Sequence, residues 1–317
     1  MVESLVEDTA EPLLVVILGP TGSGKTSLSV ALAQRFDGEI VSCDSVAVYR
    51  GLEIGSAKPS AEQRKLVPHH LLDVVDPDAF YTAGDYSRAA REAIAGIVAR
   101  GRLPIVTGGT GLYLRALLQG LFPGPQRSAP LRDRLLRKVE TRGPLFIHRI
   151  LKRLDPASAA RIHANDTAKV IRAIEVTLAA SRPMSEVWKE GRDALTGYRV
   201  LRLGLDPVRP HLYARIDDRA RAMFAQGLIE ETRQLIARYG RMPVFDSLGY
   251  RQAAQHLDGA LTLEQAIAAA SQGHRNYAKR QLTWFRREPE VCWLKGFGDD
   301  PSLGADAESL IAQRRAQ

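Results

Sequence analysis

Cysteine is nearly absent from this chain: two residues in 317, Cys43 and Cys292, cannot build a disulfide framework. No apolar stretch approaches the ~18 residues a membrane-spanning helix needs. The first residues, Met-Val-Glu-Ser-Leu-Val-Glu-Asp, are acidic, where a secretion signal is basic and then apolar. Internal repeats and low-complexity runs are also missing, which excludes solenoids and disordered linkers. The expectation is a soluble cytoplasmic protein with no membrane partner and no exposed apolar repeat to pair it with a second copy, hence a monomer. What is present is a 45% apolar composition, enough for a full α/β core with length left over for a second unit.

Charge is unevenly spread. The chain carries a formal +8, and between Arg127 and Arg172 twelve Lys or Arg face four Asp or Glu, a surplus of eight in that segment alone. A second cluster, Arg275, Lys279, Arg280, Arg286 and Arg287, has no acid between its members. Either cluster alone is consistent with a solvated helix face; together they point to a polyanion, and nucleic acid is the leading one.

Residues 19 to 26, Gly-Pro-Thr-Gly-Ser-Gly-Lys-Thr, satisfy G-x-x-x-x-G-K-[ST] directly after the apolar run Leu13 to Leu18. Gly19, Gly22 and Gly24 let the backbone curl so that the N–H groups of Thr21, Ser23 and their neighbours point inward. The helix opening at Thr26 favours anions. Lys25 would reach the terminal phosphates, and the Thr26 hydroxyl would hold Mg²⁺. Helical spacing follows at Leu28, Ala31, Leu32 and Arg35, then a short strand at Glu39 to Cys43, a helix at Ala89 to Ala99 and a strand at Arg102 to Thr107. This alternation predicts an α/β fold, a P-loop NTPase-like parallel sheet with helices on both faces. Phe122-Pro-Gly-Pro125 interrupts the pattern, which resumes at Tyr198 to Leu205; the residues between read as an inserted helical domain. The expected layout is a core of 10–126 and 199–295, an insertion of 127–198 and a tail of 296–317 with little pattern. Within the core, long helical regions are expected at Tyr213 to Tyr239 and Leu261 to Arg287, then a strand at Val291 to Leu294.

On the rim where such sheets bind ligands stand Asp44, at the end of a strand, and Thr110, after a diglycine. Asp44 suits an acid, a base or a metal-shell carboxylate, or else caps its own turn. Thr110 sits in a turn that lets a ligand approach closely, or in a tight connection and nothing more. His69 and His70 point to opposite sides of an extended segment, with no cysteine or carboxylate spacing to complete a metal site. Cys43 reads as a small buried strand residue. In the segment His274 to Arg287, Arg275, Lys279 and Arg286 share one helical stripe and Tyr277, Gln281 and Trp284 another. Such a helix docks its aromatics on the core and offers cations to phosphates, or is an ordinary amphipathic surface helix.

Taken in order, Gly19 to Thr26, Asp44-Ser-Val-Ala-Val-Tyr49, Ile54-Gly-Ser-Ala-Lys-Pro59, Pro68-His-His-Leu-Leu-Asp73, Gly108-Gly-Thr-Gly-Leu-Tyr113, Asp246-Ser-Leu-Gly-Tyr-Arg251 and Ala278 to Arg286 resemble the motifs of the tRNA dimethylallyltransferases, over residues 12 to 295. The resemblance implies transfer of a dimethylallyl group from dimethylallyl diphosphate to N6 of the adenosine 3′ to the anticodon. The phosphate loop would then grip a leaving group, with Mg²⁺ and a further clamp from Arg219. It implies Asp44 as the group that orients N6 and takes its proton, with Thr110 assisting. It implies an anticodon stem-loop held by Asp44, Ser45, Val46 and Ala47, by Lys169 and Arg172 of the insertion, by Asp246, Gly249, Tyr250 and Arg251, and by His274, Arg275, Lys279, Arg280 and Gln281. Many members carry glutamine where Ala47 stands, so a contact through that side chain is missing or replaced. Three other readings fit parts of the pattern: a small-molecule kinase, which leaves the basic clusters unexplained; an adenylate dimethylallyltransferase using a free nucleotide; and an RNA-binding protein whose loop senses a nucleotide.

Overall fold

The computed structural model describes residues 11–122, 124–125 and 127–317. The acidic residues Met1 to Asp8 and Pro123 of the breaker cluster lie outside the described residues. The chain divides into two compact units, one running up to Leu117 and resuming at Thr196–Gln317, the other Leu118–Leu195.

The first unit holds one six-stranded, all-parallel sheet: β1 Leu13–Leu18, β2 Gly38–Cys43, β3 His69–His70, β4 Leu103–Gly108, β5 Arg199–Leu205 and β6 Val291–Leu294, in the order β3-β2-β4-β1-β5-β6. Every residue of β1 and β2 is buried. That is why β1, Leu-Leu-Val-Val-Ile-Leu, reads as a continuous apolar run rather than an alternating one, while β2 buries Glu39 and Ser42 among its apolar residues. Val15 is paired with Ile105 of β4 on one side and Leu201 of β5 on the other. From β1 the chain goes first to one side of the sheet and later to the other, so the switch point, where ligands bind in such sheets, falls at the carboxyl end of β1.

The helices of this unit are α1 Lys25–Arg35, α2 Ala61–Leu66, α3 Ala83–Ala99 and α4 Gly111–Leu118. In the second unit come α5 Ala129–Arg142, α6 Pro144–Leu154, α7 Pro156–Arg161, α8 Thr167–Ala180 and α9 Met184–Val187. Back in the first unit are α10 Arg209–Ala225, α11 Leu228–Tyr239, α12 Tyr250–Leu257, α13 Leu263–Phe285 and α14 Pro301–Arg315. One sheet face, Leu13, Val15, Ile17, Ile40, Ile105 and Leu203, packs on Leu28 and Leu32 of α1 and on Leu303, Ala307 and Ile311 of α14.

Two expectations are corrected here. The long helical region Tyr213 to Tyr239 is two helices, because Gly227 takes a left-handed φ of 104° and turns the chain between α10 and α11. The tail is not patternless: Asp300 caps α14 through its carboxylate, and the helix buries an apolar residue every four positions against β1 and α1.

The second unit is all helical. Leu135, Ile147, Leu151, Val170, Ile171 and Ile174 form its core. The buried Asp155 accepts from the backbone N–H of Ser158 (2.9 Å) and of Ser185 (2.8 Å) and from both hydroxyls, which ties α7 to α9. Two cations of its basic run are engaged internally. Arg132 Nη1 donates to the buried Glu175 (3.1 Å), and Arg172 donates to the Pro125 carbonyl (2.9 Å) with Nη1 3.9 Å from Glu175. Lys169 is exposed and pairs with Asp166.

Candidate functional site

At the switch point the first unit opens a cavity of about 470 Å³. Its floor is the loop between β1 and α1. The Lys25 ammonium donates to the carbonyls of Gly19 (2.9 Å) and Pro20 (2.8 Å), so the cation is held at the centre of the curl. Gly24 caps α1 in the left-handed region at φ 85°, a geometry open to glycine at little cost. Ser23 is fully buried, Gly22 faces Ile216 of α10, and the Thr21 and Thr26 side chains line the cavity.

Arg219 reaches in from α10 and donates to Thr21 Oγ1 (3.2 Å). Burial lowers its pKa, opposed by Asp44. Burial first, and then Arg219, push Lys25 down from 10.5 to about 7, while Asp44 and Cys43 work the other way. Lys25 is half-buried as a residue, but its ammonium is turned onto the loop carbonyls, and that burial governs the shift. An anion in the loop restores the charged form. Above that value binding of a polyphosphate anion is therefore expected to take up a proton at Lys25 and to weaken as pH rises, with inorganic diphosphate as the probe. Calorimetry at about pH 8 in two buffers of different ionisation enthalpy is expected to read this uptake. Equal heats in both buffers would mean that Lys25 is already charged before binding.

Opposite the loop lies Asp44. Its Oδ1 accepts from the N–H groups of Val46 (2.8 Å) and Ala47 (3.1 Å), so the carboxylate does cap its own turn. Its Oδ2 has no hydrogen-bond partner among the described residues, and Asp44 lines the cavity with Ser45, Val46 and Ala47. One side chain thus serves both of its readings. Thr110 stands one layer back. Its hydroxyl accepts from the Ser45 N–H (3.0 Å) and donates to Ser45 Oγ (3.3 Å), so it braces the Asp44 turn rather than reaching into the cavity.

Helix α13 closes the side. Gln281 is buried and bridges two loops, accepting from Thr21 N–H (2.8 Å) and donating to the Gly109 carbonyl (2.8 Å), to which Tyr277 OH also donates (3.2 Å). The diglycine turn is built for this helix. A Cβ on Gly109 would lie 2.1 Å from Gln281 Nε2, and one on Gly111 would lie 2.4 Å from Trp284 Nε1. Gln281, expected at the RNA surface, is a brace between the loops, and it corrects the loop reading too: the Thr21 N–H is spent on Gln281 and the Ser23 N–H on the Pro20 carbonyl (3.3 Å), so neither points at an anion. His274 lines the cavity as well, and burial and Arg219 depress its imidazole to about 4, so it is neutral near pH 7.

Asp246, Arg251 and Arg280 line the rim, and Arg280 lies over the Tyr277 ring at 5.7 Å. Lys279 is exposed, whereas Arg275 is paired with Asp217 (2.6 Å). Tyr250 requires a correction as an RNA contact: its ring is fully buried against Gly55 and its OH donates to Glu231 (2.5 Å). Gly249 is likewise buried, its N–H donating to Gln252 (3.0 Å). Sequence reasoning passed over Lys58, whose buried ammonium holds Tyr49 O (2.7 Å), Glu53 (2.8 Å) and Asp73 (2.5 Å) and shapes the cavity wall. Its signal was the Ile54 to Pro59 motif. His70 is also structural: it sits 2.6 Å from Glu39, a carboxyl that Arg100 and His70 hold down near 2, and it ties β3 to β2. Lys169 and Arg172 belong to the helical unit. Among the described residues no group of three or more His, Cys, Asp or Glu is placed to hold a metal, and no helix is long and apolar enough to cross a membrane.

Comparison with known proteins gives one family. The model of the family described as IPP transferase matches residues 47–288, and that described as isopentenyl transferase matches residues 12–74. The tRNA dimethylallyltransferase of Koribacter versatilis (strain Ellin345) is 65% identical over 95% of this chain and 99% of its own, and that of Solibacter usitatus (strain Ellin6076) 54% identical over 95% and 98%. Among solved structures, the tRNA isopentenylpyrophosphate transferase of Bacillus halodurans is 38% identical, covers 95% of this chain and 96% of its own, and superposes with a TM-score of 0.71. A eukaryotic dimethylallyltransferase acting on tRNA is 29% identical, covers 95% and 77%, and has a TM-score of 0.78.

Proposed function

The chain belongs to the tRNA dimethylallyltransferase family and is a prenyltransferase, and from that premise we propose that it moves a dimethylallyl group from dimethylallyl diphosphate to N6 of the adenosine 3′ to the anticodon of tRNA, in the cytoplasm. One observation carries the reading: a single cavity sets Lys25 of the loop and Arg219 of α10 against the Asp44 carboxylate.

In the reaction the allylic C–O bond breaks, a C–N6 bond forms, the electron pair leaves with diphosphate, and the N6 proton passes to Asp44 Oδ2. Negative charge grows on the departing diphosphate, where Lys25 and Arg219 stabilise it, with the loop N–H groups other than those of Thr21 and Ser23, which are bonded to Gln281 and to the Pro20 carbonyl. Asp44 supplies the acceptor for the proton of an amine whose lone pair is otherwise spread into the purine. Thr110 and Gln281 act through other residues, the first fixing the Asp44 turn and the second holding the loop at Thr21. A base paired in a stem or stacked in a loop does not reach such a cavity, so the target adenosine is expected to swing out.

Mg²⁺ fits the donor set. The Thr26 hydroxyl is a hard oxygen on the cavity wall at the start of α1, and such an ion takes one or two protein oxygens plus phosphate oxygens and water. Bound there with diphosphate, it would offset leaving-group charge.

The test is incubation with radiolabelled dimethylallyl diphosphate, Mg²⁺ and unmodified tRNA, with AMP as the parallel acceptor, followed by nucleoside analysis. Label on an adenosine beside the anticodon is the expected result. Label on AMP alone would replace this reading with a free-nucleotide transferase.

A further inference from the structure

The C-terminal segment touches the phosphate loop from behind. The Gly298 N–H donates to the Ser23 carbonyl (2.8 Å). The two backbones meet with no side chain between them. A Cβ on Gly24 would lie 2.7 Å from Gly298 N, and a Cβ on Gly298 would lie 2.5 Å from Gly24 O. The turn is fixed at both ends. Asp300 caps α14, whose apolar residues lie in the sheet core. Asp299 takes a two-pronged grip from Arg215, Nη1 to Oδ1 at 2.8 Å and Nη2 to Oδ2 at 2.6 Å, with the same guanidinium 4.0 Å over the Phe297 ring. Arg215 stands one helical turn before Arg219 on α10, and Ile216 between them faces Gly22 at 3.1 Å from where a Cβ would be. The turn, the loop and the helix that carries Arg219 are therefore one contiguous packing unit.

We propose that the turn Gly296 to Asp300 is a positioning element for the diphosphate-binding loop, setting its curl through Gly298 and the placement of Arg219 through the Arg215–Asp299 pair. This rests on the reading of the loop as the diphosphate site. A loop whose N–H groups must converge on a leaving group gains from a rigid backing, because sub-ångström misplacement of such donors weakens them at the reacting atoms. The backing bonds to the loop and to α10, the elements that carry Lys25 and Arg219, so its effect is expected on the diphosphate side of the site.

The test uses the full chain with Gly298→Ala and Asp299→Asn. The added Cβ must push the turn off Gly24 O. Gly298→Ala is expected to raise KM for dimethylallyl diphosphate and weaken calorimetric affinity for inorganic diphosphate by about tenfold, with KM for tRNA unchanged. Asp299→Asn removes a half-exposed ion pair that adds little to global stability and is expected to move the same two quantities by about threefold, with Asp299→Glu recovering part. Gly304→Ala, in α14 where an added Cβ meets nothing, serves as the wild-type-like control. Unchanged diphosphate affinity in both variants, or an equal loss for both substrates with a fall in melting temperature, would overturn the proposal. Wild-type protein that binds diphosphate but labels no tRNA would sink the tRNA reading instead, and the proposal would then be decided by diphosphate affinity alone.

Discussion

Lys25→Ala is expected to lower the rate of dimethylallyl transfer by about a hundredfold to a thousandfold, on the scale of ~2.7–4 kcal/mol for losing one preorganised charge-stabilising group. The ammonium is fixed between two loop carbonyls in the cavity floor, where water does not screen it as it does a surface lysine. The loss stops short of complete inactivation because Arg219 remains on Thr21, and the loop N–H groups do not depend on the side chain. A fall in stability is not expected to explain the effect. Burial holds the Lys25 pKa below its ordinary value, which means the charged form is disfavoured in the fold and its removal relieves that cost. The melting temperature of the variant should therefore equal or exceed that of the wild type, while single-turnover transfer at saturating tRNA collapses. Turnover close to wild type would take Lys25 out of the leaving-group role.

What the sequence made legible, and what it hid, follows from the range of the interactions. The phosphate loop is local: three glycines, one lysine and one threonine within eight residues dictate both backbone and charge, so its form was readable without any tertiary knowledge. The strand end at Asp44 was readable from a similarly short stretch, the β-branched pair Ile40-Val41 before the turn signal Asp44-Ser45, although β2 is no continuous apolar run. The inward stripe of α13 was readable as well, but its partners were not. Gln281 and Trp284 fit inward because Gly109 and Gly111, some 170 positions earlier, leave room for them, as the Gln281 bond to Gly109 across 172 residues records. Periodicity separated the stripes of that helix but could not say that Gln281 grips Thr21 across a separation of 260. Arg172 and Arg275 illustrate the limit of charge counting, because each is committed to a partner on its own unit, Glu175 and Asp217. The tail escaped because α14 buries little more than Leu303, Ala307 and Ile311, too thin an apolar stripe to stand out among its alanines and polar residues.

Asp44→Asn is expected to slow the chemical step by about a hundredfold to ten-thousandfold, the range for loss of a positioned proton acceptor, while tRNA affinity changes little. The substitution is unusually clean here. Asparagine keeps the side-chain oxygen that accepts from Val46 and Ala47, so the turn, the Ser45 N–H and its bond to Thr110 are expected to survive. What changes is the second oxygen, which becomes an amide nitrogen: a donor with no charge and no capacity to take the N6 proton. A secondary electrostatic effect must be separated from this. Asp44 raises the Lys25 pKa, so the variant holds Lys25 lower still and loses charge on that ammonium at a lower pH. Following both proteins from neutrality downward moves each toward the protonated lysine, so a rate difference that shrinks with falling pH belongs to Lys25 and one that stays constant belongs to the carboxylate. Rapid-quench measurement of a single turnover gives the chemical step, and filter binding of tRNA gives affinity. A rate defect that persists at the lower pH with affinity retained assigns the proton to Asp44. A defect that vanishes there would mean that Asp44 acts only by sustaining the charge of Lys25, and a parallel loss of tRNA binding would reduce Asp44 to the cap of its turn.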